Sequence, residues 1–351
     1  MSRFLSDGRK SLSPYTPGEQ PKVMNLIKLN TNESPFAPSP KVIEAVGTQA
    51  VEKLRLYSDI GTTALCDAIA QHNGISPDQV ITSNGSDEVL AFAFQAFGEK
   101  GVAFADITYG FYSVWADLYG CPARVVPLND DFTVPVEQFM TNRETIFLAN
   151  PNAPTGRTLP LSDIRRILEA NRDQVVVIDE AYVDFGGESA VKLLPECENL
   201  LVVQTFSKSR SMAGARLGFA IGNEELIADL EKIKYSTNPY NVNALTQAAG
   251  VAAVEDNGYY MRNCRRIIKT RAYTKKELEK LGFTVLSSKA NFLFAKCEQF
   301  SGLELYLLLK EKGILVRHFE KERIKDFNRI TIGSQKEMEA FIDAVKEILG
   351  A

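Results

Sequence analysis

Lys208 combines a reactive side chain with surroundings that favour covalent chemistry. It lies two residues after Leu200–Phe206, an apolar run that predicts a buried strand. Ser207 and Ser209 flank it, and Arg216 follows eight residues later (216 − 208). A lysine that is partly desolvated beside a second cation has a lowered pKa, so its amine becomes a usable nucleophile. The hydroxyls and the arginine could also bind a phosphate together, although a solvated basic loop is the alternative for this segment.

Asp179 ends a second apolar run, Val175–Asp179. An acid at that position lies at the carboxyl edge of a sheet, where α/β proteins place their ligands. Because an unpaired buried carboxylate is costly, we expect Asp179 to face a cation or a proton donor. A helix-capping aspartate is the simpler alternative.

Two turns follow other predicted strands. Gly85 lies between the strand Val80–Ser83 and a helix that begins near Ser86. Free amides at a helix N-terminus attract anions, and a glycine lets the backbone approach closely, though an ordinary serine-capped turn fits the same residues. Asn150–Gly156 follows the strand Thr145–Ala149, and its two prolines and glycine make it a rigid turn.

Alternating strands and helices from about Val42 onward must position these residues. Several runs are almost entirely Val, Ile and Phe, as in strands that are covered on both faces. The pattern predicts an α/β fold, with a mostly parallel sheet sandwiched by helices in a large domain over residues 42–249. All four segments above follow strands, so their polar residues should meet at one edge of the sheet. The predicted strands are Val80–Ser83, Val102–Asp106, Ala123–Pro127, Thr145–Ala149, Val175–Asp179, Leu200–Phe206 and Leu217–Ile221.

The pattern after about Gly250 predicts a smaller α+β domain over residues 250–351. A long charged helix is expected at Tyr259–Leu281, followed by short strands and a helix. Ser334–Glu337 forms a capping box ahead of a C-terminal amphipathic helix. The proline-rich beginning predicts an extended arm, and residues 1–41 are assigned to this arm and to part of the small domain.

Composition excludes several classes of protein. The 351 residues include 40 basic and 44 acidic side chains, so the net charge of −4 argues against non-specific binding to nucleic acid or acidic membranes. The five cysteines form no CxxC pair, which is typical of reduced thiols in a cytoplasmic protein. With only His72 and His318 present, a histidine-rich metal site is not expected, and we predict no metal. No apolar stretch approaches the roughly 18 residues of a membrane span.

The sequence resembles the fold type I pyridoxal-phosphate (PLP) aminotransferases, and among them the histidinol-phosphate aminotransferase family. The resemblance runs nearly from end to end, and the lysine and arginine motifs are specific for the fold type. The early Pro-Tyr and the two late arginines point to the histidinol-phosphate branch. The matching segments are Ser13–Gly18, Leu29–Glu33, Arg55–Tyr57, Asn84–Glu88, Thr108–Tyr112, Asn150–Gly156, Asp179–Tyr182, Thr205–Lys208, Ala213–Arg216, Tyr240–Asn243, Val316–Arg317 and Arg329–Gly333.

This resemblance implies a role for each cofactor-binding residue. Lys208 would carry PLP covalently and act as the general base, Asp179 would pair with the pyridine nitrogen, and Tyr182 would hydrogen-bond the phenolic O3′. Tyr109 would lie against the ring. The cofactor phosphate would be held by Ser207, by Arg216 and by the amides of Gly85, Ser86 and Asp87.

The resemblance also implies the reaction and its partners. Histidinol phosphate and 2-oxoglutarate would give imidazole-acetol phosphate and glutamate in histidine biosynthesis. Arg329 would bind the carboxylate, Arg317 and Tyr15 would bind the substrate phosphate, and Asn32 would line the same pocket. Tyr57 would reach the phosphate site of the neighbouring subunit, which implies a homodimer with shared active sites.

One position departs from the family pattern. The family turn has asparagine immediately before Pro-Thr-Gly, where its amide donates to O3′, but this sequence has Ala153 there. We assign the contact to Asn152, with Asn150 or Tyr182 alone as alternatives.

Other functions remain open from the sequence alone. An aromatic or broad-specificity aminotransferase and a threonine-phosphate decarboxylase share the fold. A PLP-binding transcription regulator is a further alternative, although the arm before Val42 is too short and proline-rich for a DNA-reading module.

Overall fold

The computed structural model describes residues 3–6, 9–19 and 26–350, and it contains a seven-stranded sheet. The strand order is β2-β8-β7-β6-β5-β3-β4, and every neighbouring pair is parallel except the two that involve β8. The predicted α/β fold with a mostly parallel sheet is therefore confirmed. Its strands are β2 (Val80–Ser83), β3 (Val102–Ala105), β4 (Ala123–Val126), β5 (Thr145–Ala149), β6 (Val176–Asp179), β7 (Leu200–Thr205) and β8 (Gly218–Gly222).

Helices cover both faces of this sheet because its central strands are apolar on both faces. Every residue of β6 and β8 is buried. One apolar cluster joins α4 and α5 to one face, and another packs α6 against the opposite face. The helices up to residue 255 are α1 (Pro40–Ala45), α2 (Thr48–Glu52), α3 (Thr63–Asn73), α4 (Ser86–Phe97), α5 (Phe111–Tyr119), α6 (Leu161–Ala170), α7 (Glu224–Thr237) and α8 (Ala244–Glu255).

The remaining strands form a four-stranded antiparallel sheet in the order β12-β13-β10-β9 and a separate parallel pair, β1-β11. The parallel pair joins residues 27–28 to residues 314–315, so the beginning of the chain packs with its C-terminal part. These elements are β1 (Ile27–Lys28), β9 (Phe283–Val285), β10 (Phe292–Cys297), β11 (Ile314–Leu315), β12 (Arg317–His318), β13 (Phe327–Thr331), α9 (Asn257–Lys280), α10 (Gly302–Glu311) and α11 (Gln335–Leu349).

The predicted domain boundary after residue 249 falls inside helix α8, whose buried Ala249, Ala252 and Ala253 pack against α1 and α3. The seven-stranded sheet lies before that position in the chain, and the four-stranded sheet lies after it. The predicted capping box at Ser334 is present and begins α11. None of the helices in the described ranges is long and apolar enough to cross a membrane.

Candidate active site

A cavity of about 430 Å³ lies where the carboxyl ends of β5, β6 and β7 meet the start of α4. The four segments that the sequence singled out all contribute to its wall. Lys208 and Asp179, which come from different strands, line the same cavity. The predicted residues in its wall are Ser86, Asp87, Tyr109, Asp179, Tyr182, Ser207, Lys208 and Arg216.

The Lys208 amine donates to the carbonyl oxygen of Thr31, 3.0 Å away. Burial and, after it, the positive charge of Arg329 lower the pKa of Lys208 from 10.5 to about 8, against the opposing effect of Glu33 and Asp87. This agrees with the predicted desolvated lysine beside a cation. The cation with the larger effect is Arg329, whereas Arg216 contributes less.

Asp179 is buried at the end of β6, with 5% of its surface exposed. Its Oδ2 accepts a hydrogen bond from the Tyr112 hydroxyl at 2.9 Å, and its Oδ1 accepts one from the backbone amide of Ala181 at 3.2 Å. Burial raises the pKa of Asp179 to about 6, and both hydrogen bonds counteract this rise. The sequence predicted a cation or a proton donor for this carboxyl, and the structure supplies Tyr112.

The other end of the cavity has the features of an anion site. Gly85, at φ +82°, precedes α4, and a Cβ atom at this position would lie 2.5 Å from Nη2 of Arg216. The Arg216 guanidinium is 3.5 Å from the Ser207 hydroxyl and 3.3 Å from the Asp87 carboxylate. The amides of Ser86 and Asp87 at the start of α4 and the Arg216 charge attract an anion to the same point, whereas the Gly85 amide, also assigned to the phosphate, donates to the Ser83 carbonyl at 2.9 Å.

Tyr109 borders the cavity with its ring and donates from its hydroxyl to Oδ1 of Asp87 at 2.7 Å. The sequence assigned only the Asp87 amide to the site. The structure shows that its carboxylate also connects Tyr109 to Arg216.

Tyr182 receives a hydrogen bond from the Asn32 amide, with 3.0 Å between Nδ2 and the phenolic oxygen. Burial raises the pKa of Tyr182, although the charge of Arg329 opposes the rise. Asn32 is itself buried, and its Oδ1 accepts from the Thr331 hydroxyl at 2.8 Å. The tyrosine is therefore held as a neutral hydroxyl in a fixed orientation.

A second cavity of about 680 Å³ adjoins the first and shares Lys208, Tyr182 and Arg216 with it. Its wall contains all four residues that the sequence assigned to substrate: Tyr15, Asn32, Arg317 and Arg329. Tyr15 stacks on Phe111 with 4.2 Å between ring centroids. Aromatic rings and two arginines thus line the space beside the lysine.

Arg317 and Arg329 are directly opposite each other in the antiparallel pair β12-β13. Nη2 of Arg329 donates to the carbonyl of Asn30 at 2.9 Å, and its buried Nε has no hydrogen-bond partner among the described residues. Arg317 donates to the carbonyls of Thr16 and Pro17, which ties the N-terminal arm to β12. Of these two arginines, Arg329 is therefore the one whose buried Nε–H group is free to bind a ligand.

The structure speaks against Asn152 as the O3′ donor. Its amide nitrogen donates to the Ile107 carbonyl at 2.9 Å and to the Thr155 hydroxyl at 3.0 Å, so both of its N–H groups are used. Ala153 occupies the wall of the 430 Å³ cavity instead. The correction has a local reason, since the Asn152 amide ties the turn to the Ile107 carbonyl of a neighbouring segment and to the Thr155 hydroxyl within the turn.

Tyr57 lies apart from both cavities of its own chain. Its side chain is 83% exposed and stacks on Tyr240, with 4.4 Å between ring centroids. Its assignment to a neighbouring subunit stays a prediction.

Sequence reasoning missed two polar contacts. Tyr112 was noted only as part of a motif, and the Thr31 carbonyl cannot be assigned from a sequence because every residue has one. The spacing within Thr108–Tyr112 does not show that its second tyrosine points at Asp179.

These residues fit pyridoxal phosphate. The donor set at Ser86, Ser207 and Arg216 suits a phosphate, and Gly85 leaves free the space beside the Arg216 guanidinium that a Cβ atom would fill. The buried carboxyl of Asp179 suits a protonated ring nitrogen at the other end. Within the described ranges, no cluster of three or more His, Cys, Asp or Glu residues could hold a metal ion.

Residues 24–345 match the model of the family described as aminotransferase class I and II, and the chain belongs to this family. It is 49% identical to the histidinol-phosphate aminotransferase of Brachyspira hyodysenteriae, with 99% of each chain covered. It is 48% identical to the histidinol-phosphate aminotransferase of Clostridium acetobutylicum, over 99% of this chain and 100% of the relative.

Among solved structures, the histidinol-phosphate aminotransferase of Sinorhizobium meliloti in complex with pyridoxal-5′-phosphate superimposes with a TM-score of 0.83. It is 25% identical, and the match covers 92% of this chain and 91% of that chain.

Proposed function

We propose that this protein is a PLP-dependent aminotransferase that transfers the amino group of histidinol phosphate to 2-oxoglutarate, a step of histidine biosynthesis. The observation that carries this proposal is the convergence of Lys208, Asp179 and an anion-binding helix start on one cavity, beside a second cavity with two arginines. Relatives at 48–49% identity that bear this name support the choice of substrate.

The cofactor would be held at three points. Arg216, Ser207 and the amides at the start of α4 bind its phosphate, Asp179 pairs with its ring nitrogen, and Tyr182 donates to its O3′. When bound, PLP supplies an electron sink for the charge that develops at the substrate Cα. Since Asn152 has no free donor, Tyr182 provides the O3′ contact alone.

Lys208 performs the proton transfer. An amine with a pKa near 8 is partly neutral at physiological pH, so it can take a proton from the substrate Cα and return it elsewhere. Its contact with the Thr31 carbonyl keeps the side chain on the cavity wall.

Arg329 and Arg317 bind the anionic groups of the two substrates. The orphaned Nε of Arg329 lets its guanidinium form a two-point contact with a carboxylate of 2-oxoglutarate. Arg317, together with Tyr15, is assigned to the phosphate of histidinol phosphate. The aromatic wall at Tyr15 and Phe111 suits the imidazole ring.

Two other activities on the same fold compete with this assignment, namely transamination of aromatic amino acids and decarboxylation of threonine phosphate. Purified protein should be assayed with histidinol phosphate, phenylalanine and threonine phosphate, each with 2-oxoglutarate. We expect the highest kcat/KM with histidinol phosphate and no carbon dioxide from threonine phosphate. A kcat/KM tenfold higher with phenylalanine would contradict the proposed substrate.

A homodimer with shared sites is part of the proposal. The segment around Tyr57 exposes several large apolar side chains, which a subunit contact would cover. These are Val51, Leu54, Leu56, Tyr57, Ile60 and Tyr240. The five cysteines are all free, in keeping with a cytoplasmic enzyme.

Mixed dimers test the shared site. If Tyr57 serves the neighbouring site, a Lys208→Ala subunit and a Tyr57→Ala subunit together rebuild one site that has both residues. Mixing the two weak variants should therefore give more activity than either alone. Activity that stays at the sum of the two parents would contradict the role of Tyr57 in the partner's site.

A further inference from the structure

Tyr112 lies in helix α5, outside the wall of the 430 Å³ cavity, with no exposed surface. Its hydroxyl donates to Oδ2 of Asp179 at 2.9 Å, which is the side of that carboxyl facing α5. In the described ranges this is the one side-chain hydrogen bond that Asp179 receives, and no cation pairs with it. The contact therefore joins a residue of the helical layer to the acid of the site.

The surroundings of Tyr112 fix the position of its hydroxyl. Its ring packs edge-on against Tyr109, with 5.8 Å between centroids, and against Phe104, with 5.9 Å. Phe147 lies 5.9 Å away on a third side. Rings held this tightly cannot swing the hydroxyl to another acceptor without opening the core.

We infer that Tyr112 is a positioning residue, whose hydroxyl keeps the Asp179 carboxylate ionised and oriented toward the ring nitrogen of the cofactor. This inference rests on the proposed function, because it gives Asp179 its partner. A neutral hydroxyl that donates to a carboxylate stabilises the ionised form without bringing a second charge into the core.

The charges around Asp179 explain why such a donor is needed. Burial raises the pKa of Asp179, and the Asp87 carboxylate on α4 raises it further. Of the described residues, the Tyr112 hydroxyl and the Ala181 amide act in the opposite direction. Tyr112 is itself unable to ionise near neutral pH, since burial and Asp179 raise its pKa well above 10.0. A neutral Asp179 would not hold a protonated ring nitrogen.

The test uses Tyr112→Phe, which keeps the ring and removes one oxygen. Apo-protein is titrated with PLP and, separately, with the deaza analogue in which a C–H group replaces the ring nitrogen. Both ligands use the same phosphate contacts and the same lysine, so their difference isolates the ring nitrogen. We expect Y112F to weaken PLP binding roughly 10-fold and to leave the analogue within about twofold of wild type.

A double-mutant cycle identifies the path through Asp179. In an Asp179→Asn background, where the carboxylate is absent, adding Y112F should weaken PLP binding by no more than about twofold. Tyr260→Phe is the matched control, because Tyr260 is also fully buried, its hydroxyl accepts from the backbone amide of Ser39, and neither residue lines either cavity. Y260F should bind both ligands as the wild type does, and circular dichroism checks the fold of each variant.

Equal losses for PLP and its deaza analogue would mean that Tyr112 acts only by packing, and this result would overturn the inference. Unchanged affinity for both ligands would overturn it as well. Failure of the wild type to use histidinol phosphate would instead count against the proposed substrate, because neither titration involves an amino donor. The two proposals can thus fail separately.

Discussion

Replacing Arg329 tests how the second cavity separates its two substrates. Arg329→Gln removes the guanidinium whose Nε is buried without a partner, and it leaves Arg317 in place across the β12-β13 pair. Glutamine keeps a polar side chain at this position but ends short of the Nη2 atom, so the Asn30 carbonyl loses its donor. Circular dichroism checks that the variant folds, and the loss of activity then reports the missing contact with the incoming carboxylate.

The expected loss in kcat/KM for 2-oxoglutarate follows from the two-point contact between the guanidinium and the carboxylate. A two-point contact between a buried guanidinium and a carboxylate is worth about 3 kcal/mol or more when one partner is removed. We take the lower end because Arg317 still supplies a positive charge nearby. About 3 kcal/mol corresponds to a roughly 150-fold lower kcat/KM for 2-oxoglutarate. Arg329→Lys keeps the positive charge but cannot make the two-point contact of a guanidinium, so we expect a roughly 10-fold lower kcat/KM for 2-oxoglutarate.

The assay measures initial rates while one substrate is varied and the other is saturating. kcat/KM for histidinol phosphate should fall much less in R329Q than kcat/KM for 2-oxoglutarate, and Arg317→Gln should show the opposite preference. Arg166→Lys is the control, because Arg166 pairs with Asp163 and Glu137 at the surface. It should behave as the wild type.

Two results would refute this reasoning. One is a kcat/KM for 2-oxoglutarate within threefold of wild type in R329Q. The other is an equal loss for both substrates, which would mean that the two arginines act as a single site without division of roles.

Three further predictions concern the cofactor side and the core. Lys208→Ala should keep its circular dichroism spectrum and lose turnover at least 1000-fold, and retained transamination would contradict the role of the amine. Gly218→Ala should lose cofactor binding in a titration, because its Cβ would lie 2.2 Å from the amide nitrogen of Ser86; wild-type affinity would show that the turn can shift. Glu180 is 2% exposed and burial raises its pKa from 4.5 to about 7, so the folded protein binds more protons than the unfolded chain in that window. Ionisation of Glu180 should therefore cost up to about 3 kcal/mol of stability as pH rises from 4.5 to 7, so in denaturant titrations the wild type should lose about that much relative to Glu180→Gln across this window. A difference in stability between the two proteins that stays constant from pH 4.5 to 7 would disprove this prediction.

The large sheet was predictable because its strands have a simple signature. Runs such as Val176–Asp179 are apolar on both faces, and short polar turns separate them. Strand ends shifted by a residue, as for Gly218–Gly222, because the hydrogen-bond ladder rather than hydropathy decides where a strand stops. The convergence of Lys208 and Asp179 followed from parallel strands sharing one carboxyl edge.

The finer contacts of the site could not be predicted in the same way. The Tyr112 hydroxyl reaches Asp179 because α5 packs in the same apolar cluster as Val177 of β6, which depends on helix placement rather than on local pattern. Asn152 was assigned to the cofactor from its proximity to Ala153. Its amide instead closes the turn onto Ile107 and Thr155, and sequence spacing does not show which way a side chain points.

The pairing of β1 with β11 affects the order in which the enzyme can be assembled during synthesis. Residues 27–28 leave the ribosome early, yet their partners at residues 314–315 are made nearly three hundred residues later. Residues 80–222 hold the whole seven-stranded sheet, so the lysine and its acid can come together while the early segment still has no partner. A nascent chain stalled before residue 314 would contain the cofactor-binding residues but neither Arg317 nor Arg329. The active site is therefore completed only when the last tenth of the chain has been synthesised.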